Sequence, residues 1–146
     1  MLVIIDEAQD LAPEAMEQIR LLSNLETNEH KLLQILLAGQ PELEQRLNQP
    51  ELRQLRQRIL IRAKLRPLEL RDTEEYIQHR LRIAEANEAL SFTPAAIRMV
   101  QQYSSGIPRL INALCDFALM SGYVAKTTTI GLQEVLKAMN ELEAAV

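Results

Sequence analysis

Residues 2–11 read LVIIDEAQDL: four apolar side chains, Leu2 to Ile5, run without polar alternation into Asp6 and Glu7. A short continuous apolar run of this kind predicts a strand buried on both faces, as in parallel sheets. The next segment, PEAMEQIRLLSNLE, sets Met16, Ile19, Leu22 and Leu25 at helical spacing, with Pro13 suited to a first turn. LLQILLAG, Leu32 to Gly39, is a second nearly continuous apolar run. Strand, helix, strand predicts a right-handed crossover in an α/β sheet. A third run, RILIRAKL from Arg58 to Leu65, alternates more and predicts a strand nearer an edge. Before it, PELEQRLNQPELRQLRQR predicts two short helices opened by Pro41 and Pro50.

After RPLEL the pattern becomes helical throughout. DTEEYIQHRLRIAEANEA predicts a helix capped by Asp72 or Thr73, with Tyr76, Ile77, Leu81 and Ala84 as its apolar stripe. TPAAIRMVQQYSSG has Thr93 as cap, Pro94 in the first turn and Gly106 as stop. PRLINALCDFALMSG opens at Pro108 and is expected to end at Gly122. GLQEVLKAMNELEAA closes the chain, with Leu132, Val135, Leu136, Met139 and Leu142 on one face. The expected organisation is an α/β portion, residues 1–70, and an all-helical portion, residues 71–146.

Composition narrows the setting. The 146 residues include one cysteine, Cys115, so no internal disulfide framework is available, and a reducing compartment is expected. No apolar run approaches the roughly 20 residues of a membrane span, and the N-terminus lacks the pattern of a signal peptide. A cytoplasmic chain is expected. The net charge of −4 is unevenly spread. Residues 1–45 carry nine acids against two bases, and residues 46–82 carry ten bases against five acids. Such a basic block suits nucleic acid, an anionic ligand or an acidic face of a neighbouring subunit, and equally a set of solvated helix faces.

Several residues carry candidate chemistry. An apolar strand ending in Asp-Glu is the Walker B pattern of nucleotide hydrolases, and strand carboxyl ends form the ligand crevice of open α/β sheets. In that reading Asp6 holds Mg²⁺ through water, since Mg²⁺ keeps much of its hydration shell. Glu7 orients and deprotonates the water that attacks the γ-phosphate. The same residues also read as a strand ending in two solvated acids. Gln40, in AGQPEL at the tip of the second strand, is placed to hydrogen-bond that water or the phosphate, while Gly39 admits close backbone approach; the alternative is a plain Gly-X-Pro turn. Arg109, in SGIPRLIN, falls in the first turn of a helix, where a cation opposes the dipole unless an anion is bound beside it; Asn112 lies one turn further on. Among Arg53, Arg56 and Arg58, Arg58 adjoins the third expected strand and is the first candidate for an arginine reaching a neighbour's nucleotide. His30 and His79 have no partners at metal-ligand spacing, so a zinc site is not expected. Cys115, within an apolar helical run, reads as core.

Taken together, LVIIDEAQDL, RLLSNLET, KLLQILLAGQPEL, LRQRI, LRPLEL, YIQHRL, FTPAAI and GIPRLIN closely resemble AAA+ ATPases of the general secretion pathway protein A type. The related pilus-biogenesis and transposition-helper ATPases look similar. The resemblance implies Walker B at Asp6 and Glu7, sensor 1 near Gln40, a trans-acting arginine near Arg58 and sensor 2 at Arg109. It implies strands three, four and five of the AAA+ P-loop sheet, followed by a helical lid from about residue 71. ATP and Mg²⁺ are the implied cofactors. The implied partners are neighbouring subunits of a homo-oligomer and secretion or pilus assembly components. In the full-length protein the implied location is the inner face of the inner membrane.

Two departures stand out. Many AAA+ proteins carry Asn or Thr at sensor 1, not Gln. The sequence also contains no Gly-x-x-x-x-Gly-Lys-Ser/Thr, the loop that cradles the phosphates. The expectation is a C-terminal part of a longer nucleotide-binding module, inactive by itself. In the family the sheet order is 5-1-4-3-2, so the Arg58–Leu65 strand is expected to stand apart from the other two across an empty slot. Three readings compete: a secretion or pilus ATPase, a DNA-associated ATPase whose footprint is the basic block, and a non-enzymatic interaction remnant.

Overall fold

A computed structural model describes residues 1–24 and 32–144. It divides into two compact units, Met1–Lys64 and Leu65–Val146.

The first unit opens with β1 (Leu2–Ile5), a short 3₁₀ turn (Ala8–Asp10), α1 (Pro13–Leu22) and β2 (Gln34–Leu37). The strands pair in parallel, with Leu2 opposite Gln34 and Ile5 opposite Leu37. Strand, helix and parallel strand therefore occur as the pattern predicts, while Leu25 and His30 lie outside the described residues. Then come α2 (Pro41–Leu47), a 3₁₀ turn (Pro50–Leu52) and α3 (Arg53–Arg58). Pro41 stands in the first turn of its helix, where its missing N–H costs nothing.

Ile5, Ile35 and Leu37 face a core formed by Met16 and Ile19 of α1, Leu43 and Leu47 of α2, and Leu55 of α3. The opposite sheet face is open among the described residues: Leu2, Ile4 and Leu36 are 58%, 61% and 51% exposed. Burial on both faces, the expectation for these apolar runs, is thus realised on one face only. A continuous apolar run cannot report which of its faces is covered.

The third expected strand is corrected. Arg58 ends α3, and the segment after it carries no strand; that it pairs with neither β1 nor β2 agrees with the expectation that it stands apart from them. Ile59 alone packs toward the core, while Leu60, Ile61 and Leu65 are almost wholly exposed. Alternation gives a segment two faces but no ladder, and without a neighbour its backbone groups remain with water.

The second unit contains α4 (Leu70–Ile83), β3 (Ser91–Phe92), α5 (Pro94–Ser104), α6 (Pro108–Val124), β4 (Thr129–Ile130) and α7 (Leu132–Ala144). Its core gathers Ile77, Ala96, Ile97, Val100, Ile111, Leu114, Cys115, Ala118, Ile130, Val135 and Ala138. The Thr93 side chain caps α5 by accepting from the Ala96 N–H at 3.2 Å, as expected. The α4 cap is Glu69, not Asp72 or Thr73. Asp72 instead accepts the Glu69 N–H from inside the first turn, in the manner of a capping box, and Thr73 is buried. Gly122 does not stop α6, which continues to Val124. A Cβ there would come within 2.4 Å of Ile130 Cδ1, so this glycine admits β4 against the helix. The paired two-residue strands β3 and β4 have no counterpart in the expected organisation, being too short for periodicity to reveal. On α7 the inward face is Val135, Ala138, Met139 and Leu142, whereas Leu132 and Leu136 are partly exposed.

Candidate functional site

The carboxyl ends of β1 and β2 build one polar cluster. Asp6 and Glu7 follow β1 directly, and both are exposed. The Glu7 N–H donates to Asp6 Oδ1 at 2.9 Å, turning the chain sharply out of the strand. Glu7 is left-handed, with φ 49° and ψ 40°. For a residue with a Cβ that conformation costs about 1–2 kcal/mol, so the surroundings must hold it. They do so on the backbone by two bonds between the strand ends. Ala38 N–H donates to Ile5 O at 2.8 Å, and Ala8 N–H donates to Ala38 O at 2.9 Å.

Gln40 is the N-cap residue of α2 and lies across from Glu7. Its Nε2 donates to Glu7 Oε2 at 3.3 Å. The structure thus brings Asp6, Glu7 and Gln40 together. Between Glu7 and Gln40 stands Gln9, which the sequence reading did not single out. Gln9 Nε2 donates to Glu7 Oε2 at 2.6 Å, and Gln9 Oε1 accepts the Gln40 N–H at 3.0 Å. Gln9 Nε2 also lies 3.3 Å from Asp10 Oδ2, and Arg46 Nη1 donates to Gln9 O at 2.5 Å. Gly39 makes room for this bridge, because a Cβ there would lie 2.5 Å from Gln9 Oε1. The available signal was modest: a polar residue two places after Glu7, in a stretch that returns to the core at Leu11.

Arg58, in the same unit, ends α3 and lines a shallow groove with Arg20, Gln54 and Gln57. It makes no hydrogen bond or ion pair among the described residues. Arg56 donates to Asn48 Oδ1 at 3.2 Å and is half-buried, so it is committed inside the unit; Arg53 is exposed. Arg20 is tied to Glu17 at 2.6 Å, and that hydrogen bond holds the Glu17 carboxyl below its ordinary range.

Arg109 belongs to the second unit, where it stands exposed in the first turn of α6. Asn112, one turn on, accepts the Tyr76 hydroxyl at 3.0 Å, which fixes α6 to α4. The turn before α6 is set by Gly106, with φ 75°, whose carbonyl accepts the Leu68 N–H at 2.9 Å. Gln101 Nε2 donates to Leu68 O at 2.8 Å, and the buried Thr73 hydroxyl donates to Gln101 Oε1. Gln101 sits one turn beyond Ile97, at a position where the helical pattern would place an apolar residue. Cys115 is core: burial first, and then Asp116, push its thiol up to about 12.

As a donor set for a cation, Asp6 and Glu7 offer exposed carboxylates, and no described group occupies Asp6 Oδ2. Among the described residues no cluster of three or more His, Cys, Asp or Glu side chains forms a protein-only cage. One or two exposed hard oxygens suit Mg²⁺ completed by water and phosphate oxygens.

Residues 1–47 match the AAA domain family. The RuvB Holliday junction branch migration motor of Thermotoga maritima superposes with a TM-score of 0.76 over 97% of this chain, at 21% identity. A point variant of that protein gives 0.71. In its parallel strands and helices the chain follows the AAA+ fold of these structures. In sequence it is similar to general secretion pathway protein A of Aeromonas hydrophila, with 52% identity over 121 residues. That match takes in 83% of this chain but spans 22% of the relative, and the RuvB likeness spans 44% of its chain.

Proposed function

We propose that residues 1–146 supply the water-activating and charge-sensing part of an AAA+ ATP-hydrolysing site that serves assembly of a secretion machine. The observation that carries this reading is the cluster at the parallel strand ends, where Glu7 sits beside Asp6 and accepts from Gln40. Glu7 is the base that takes a proton from the attacking water, and the Gln40 carboxamide orients that carboxylate from the neighbouring strand. Asp6 holds Mg²⁺, through water, and the ion when bound neutralises charge on the phosphates. Arg109 answers phosphate charge from the first turn of its helix. Arg58 is the arginine offered to a neighbouring subunit's nucleotide, being free of internal partners among the described residues where Arg56 is not. Residues 1–70 are then the partial nucleotide-binding core and residues 71–146 the lid. The secretion setting rests on the 52% identity with general secretion pathway protein A.

The basic block carries the DNA-associated alternative. Several of its members are already engaged, Arg46 with Gln9 O, Lys64 with Glu44 and Arg71 with Glu75. DNA affinity that falls steeply with salt would favour that alternative.

The sequence lacks a phosphate-cradling loop, so the 146-residue chain is expected to show no ATP turnover above background. In a complete ATPase carrying these residues behind a P-loop, Glu7→Gln should bind ATP and lose at least about a hundredfold in kcat. Retained turnover in Glu7→Gln would remove Glu7 from the role of base.

A further inference from the structure

Gln9 spends both ends of one carboxamide on joining two elements. Its N–H group donates to Glu7 Oε2, and its carbonyl oxygen accepts the backbone N–H of Gln40. The Gln40 side chain donates to the same Glu7 oxygen. Two carboxamides therefore converge on Oε2, and among the described residues Oε1 is the oxygen left to meet a water molecule. The bridge is anchored from behind, since Arg46 donates to the Gln9 carbonyl of the main chain, and Gly39 leaves the space it occupies. Glu7 itself is held in a left-handed turn that a freely rotating acid would not need.

We infer that Gln9 is a positioning residue that fixes which carboxylate oxygen of Glu7 faces the reacting water, and that relays displacement of the β2 tip to that carboxylate. A shift of the Gln40 backbone pulls on Gln9 Oε1, and the planar amide passes the movement to Nε2 and so to Glu7. No covalent step is involved; the device is geometric. The functional half rests on the reading of Glu7 as the base, whereas the bridge stands on geometry alone.

Amide hydrogen exchange on the 146-residue chain reads the bridge directly. In Gln9→Met the Gln40 N–H should exchange about fivefold to tenfold faster, as expected for loss of one hydrogen bond. The Ala38 N–H, bonded to Ile5 O in the backbone ladder, should keep its rate and so report that the fold is intact. Glu7→Ala should also speed exchange at Gln40, although Glu7 does not touch that N–H, because Gln9 Nε2 then keeps only its longer, 3.3 Å bond to Asp10 Oδ2. Gln9→Glu keeps the acceptor and removes the donor. Gln40 should then stay protected while Glu7 is released.

In a complete ATPase carrying these residues, Gln9→Met and Gln9→Glu should each lower kcat about tenfold or more with KM for ATP unchanged, as for an interaction made in the transition state. Unchanged exchange at Gln40 in both Gln9→Met and Glu7→Ala overturns the bridge, whatever the role of Glu7. Altered exchange with an unchanged kcat overturns the positioning role. A fully active Glu7→Gln enzyme overturns the reading of Glu7 as base and leaves the exchange result standing.

Discussion

Two glycines separate the cost of backbone strain from the cost of crowding. Gly106 has φ 75°, and a Cβ on it would meet Leu68 O at 2.1 Å, a backbone atom that cannot turn aside. Gly106→Ala should cost about 2–4 kcal/mol. At Gly122 the obstacle is the methyl tip of the buried Ile130 side chain, which yields more cheaply than a backbone atom, and alanine improves helix propensity. Gly122→Ala should stay within about 1 kcal/mol of the parent. Urea denaturation of the chain, followed by helical circular dichroism, measures both. Cys115 supplies a pH effect with a definite sign. Its folded thiol is raised from 9.0 to about 12, so the unfolded thiol ionises first. Its contribution is complete below pH 9 and declines as pH climbs toward 12, because the unfolded state alone gains from ionisation there. Cys115→Ala should lose that part of the alkaline slope, and the native thiol should resist alkylation at pH 8 while reacting freely in urea.

At the scale of elements, the segment after α3 shows what an unpaired apolar stretch contributes. Ile61 is 86% exposed and Leu55 is 4% exposed. Ile61→Gln should leave stability within about 0.5 kcal/mol, whereas Leu55→Ala should cost about 2–4 kcal/mol. A large loss in Ile61→Gln, read from the urea midpoint, would mean that the segment is paired in solution. The same contrast explains what could be read in advance. β1, α1, β2 and the proline-opened helices announce themselves because a local period or a first-turn proline dictates each of them. The pairing of Arg58–Leu65 depends on a neighbour, and periodicity carries no information about neighbours. The cap of α4 differs from the expected Asp72 or Thr73 because Glu69 is not a residue type the cap pattern selects, and only packing of Thr73 into the interior moves the helix start forward to it. Asp6, Glu7 and Gln40 were legible as strand-end residues. Gln9 was not, because its importance lies in joining two strand ends distant in sequence.

For the molecule as a whole, the two units differ in how much core each owns. Among the described residues the second buries eleven in one cluster, while the first buries six and leaves Leu2, Ile4 and Leu36 exposed. Unequal cores imply unequal opening free energies. Amides in α6 around Leu114 and Ala118 should therefore outlast those in β1 and β2 by about a hundredfold or more in hydrogen exchange. Equal protection in the two places would show that one cooperative transition governs the chain.

The 2.5 Å approach of a notional Gly39 Cβ to Gln9 Oε1 ties the histories of two positions together. A lineage that gains a side chain at position 39 must shorten residue 9 or lose the bridge to Gln40, and one that shortens residue 9 releases position 39 from being glycine. Substitution at the two sites is therefore coupled, and the order of events is constrained: residue 9 changes first, since the reverse order passes through a clash beside Glu7. Related sequences aligned over LVIIDEAQDL and LLAGQPEL should show side chains at position 39 only where position 9 is small.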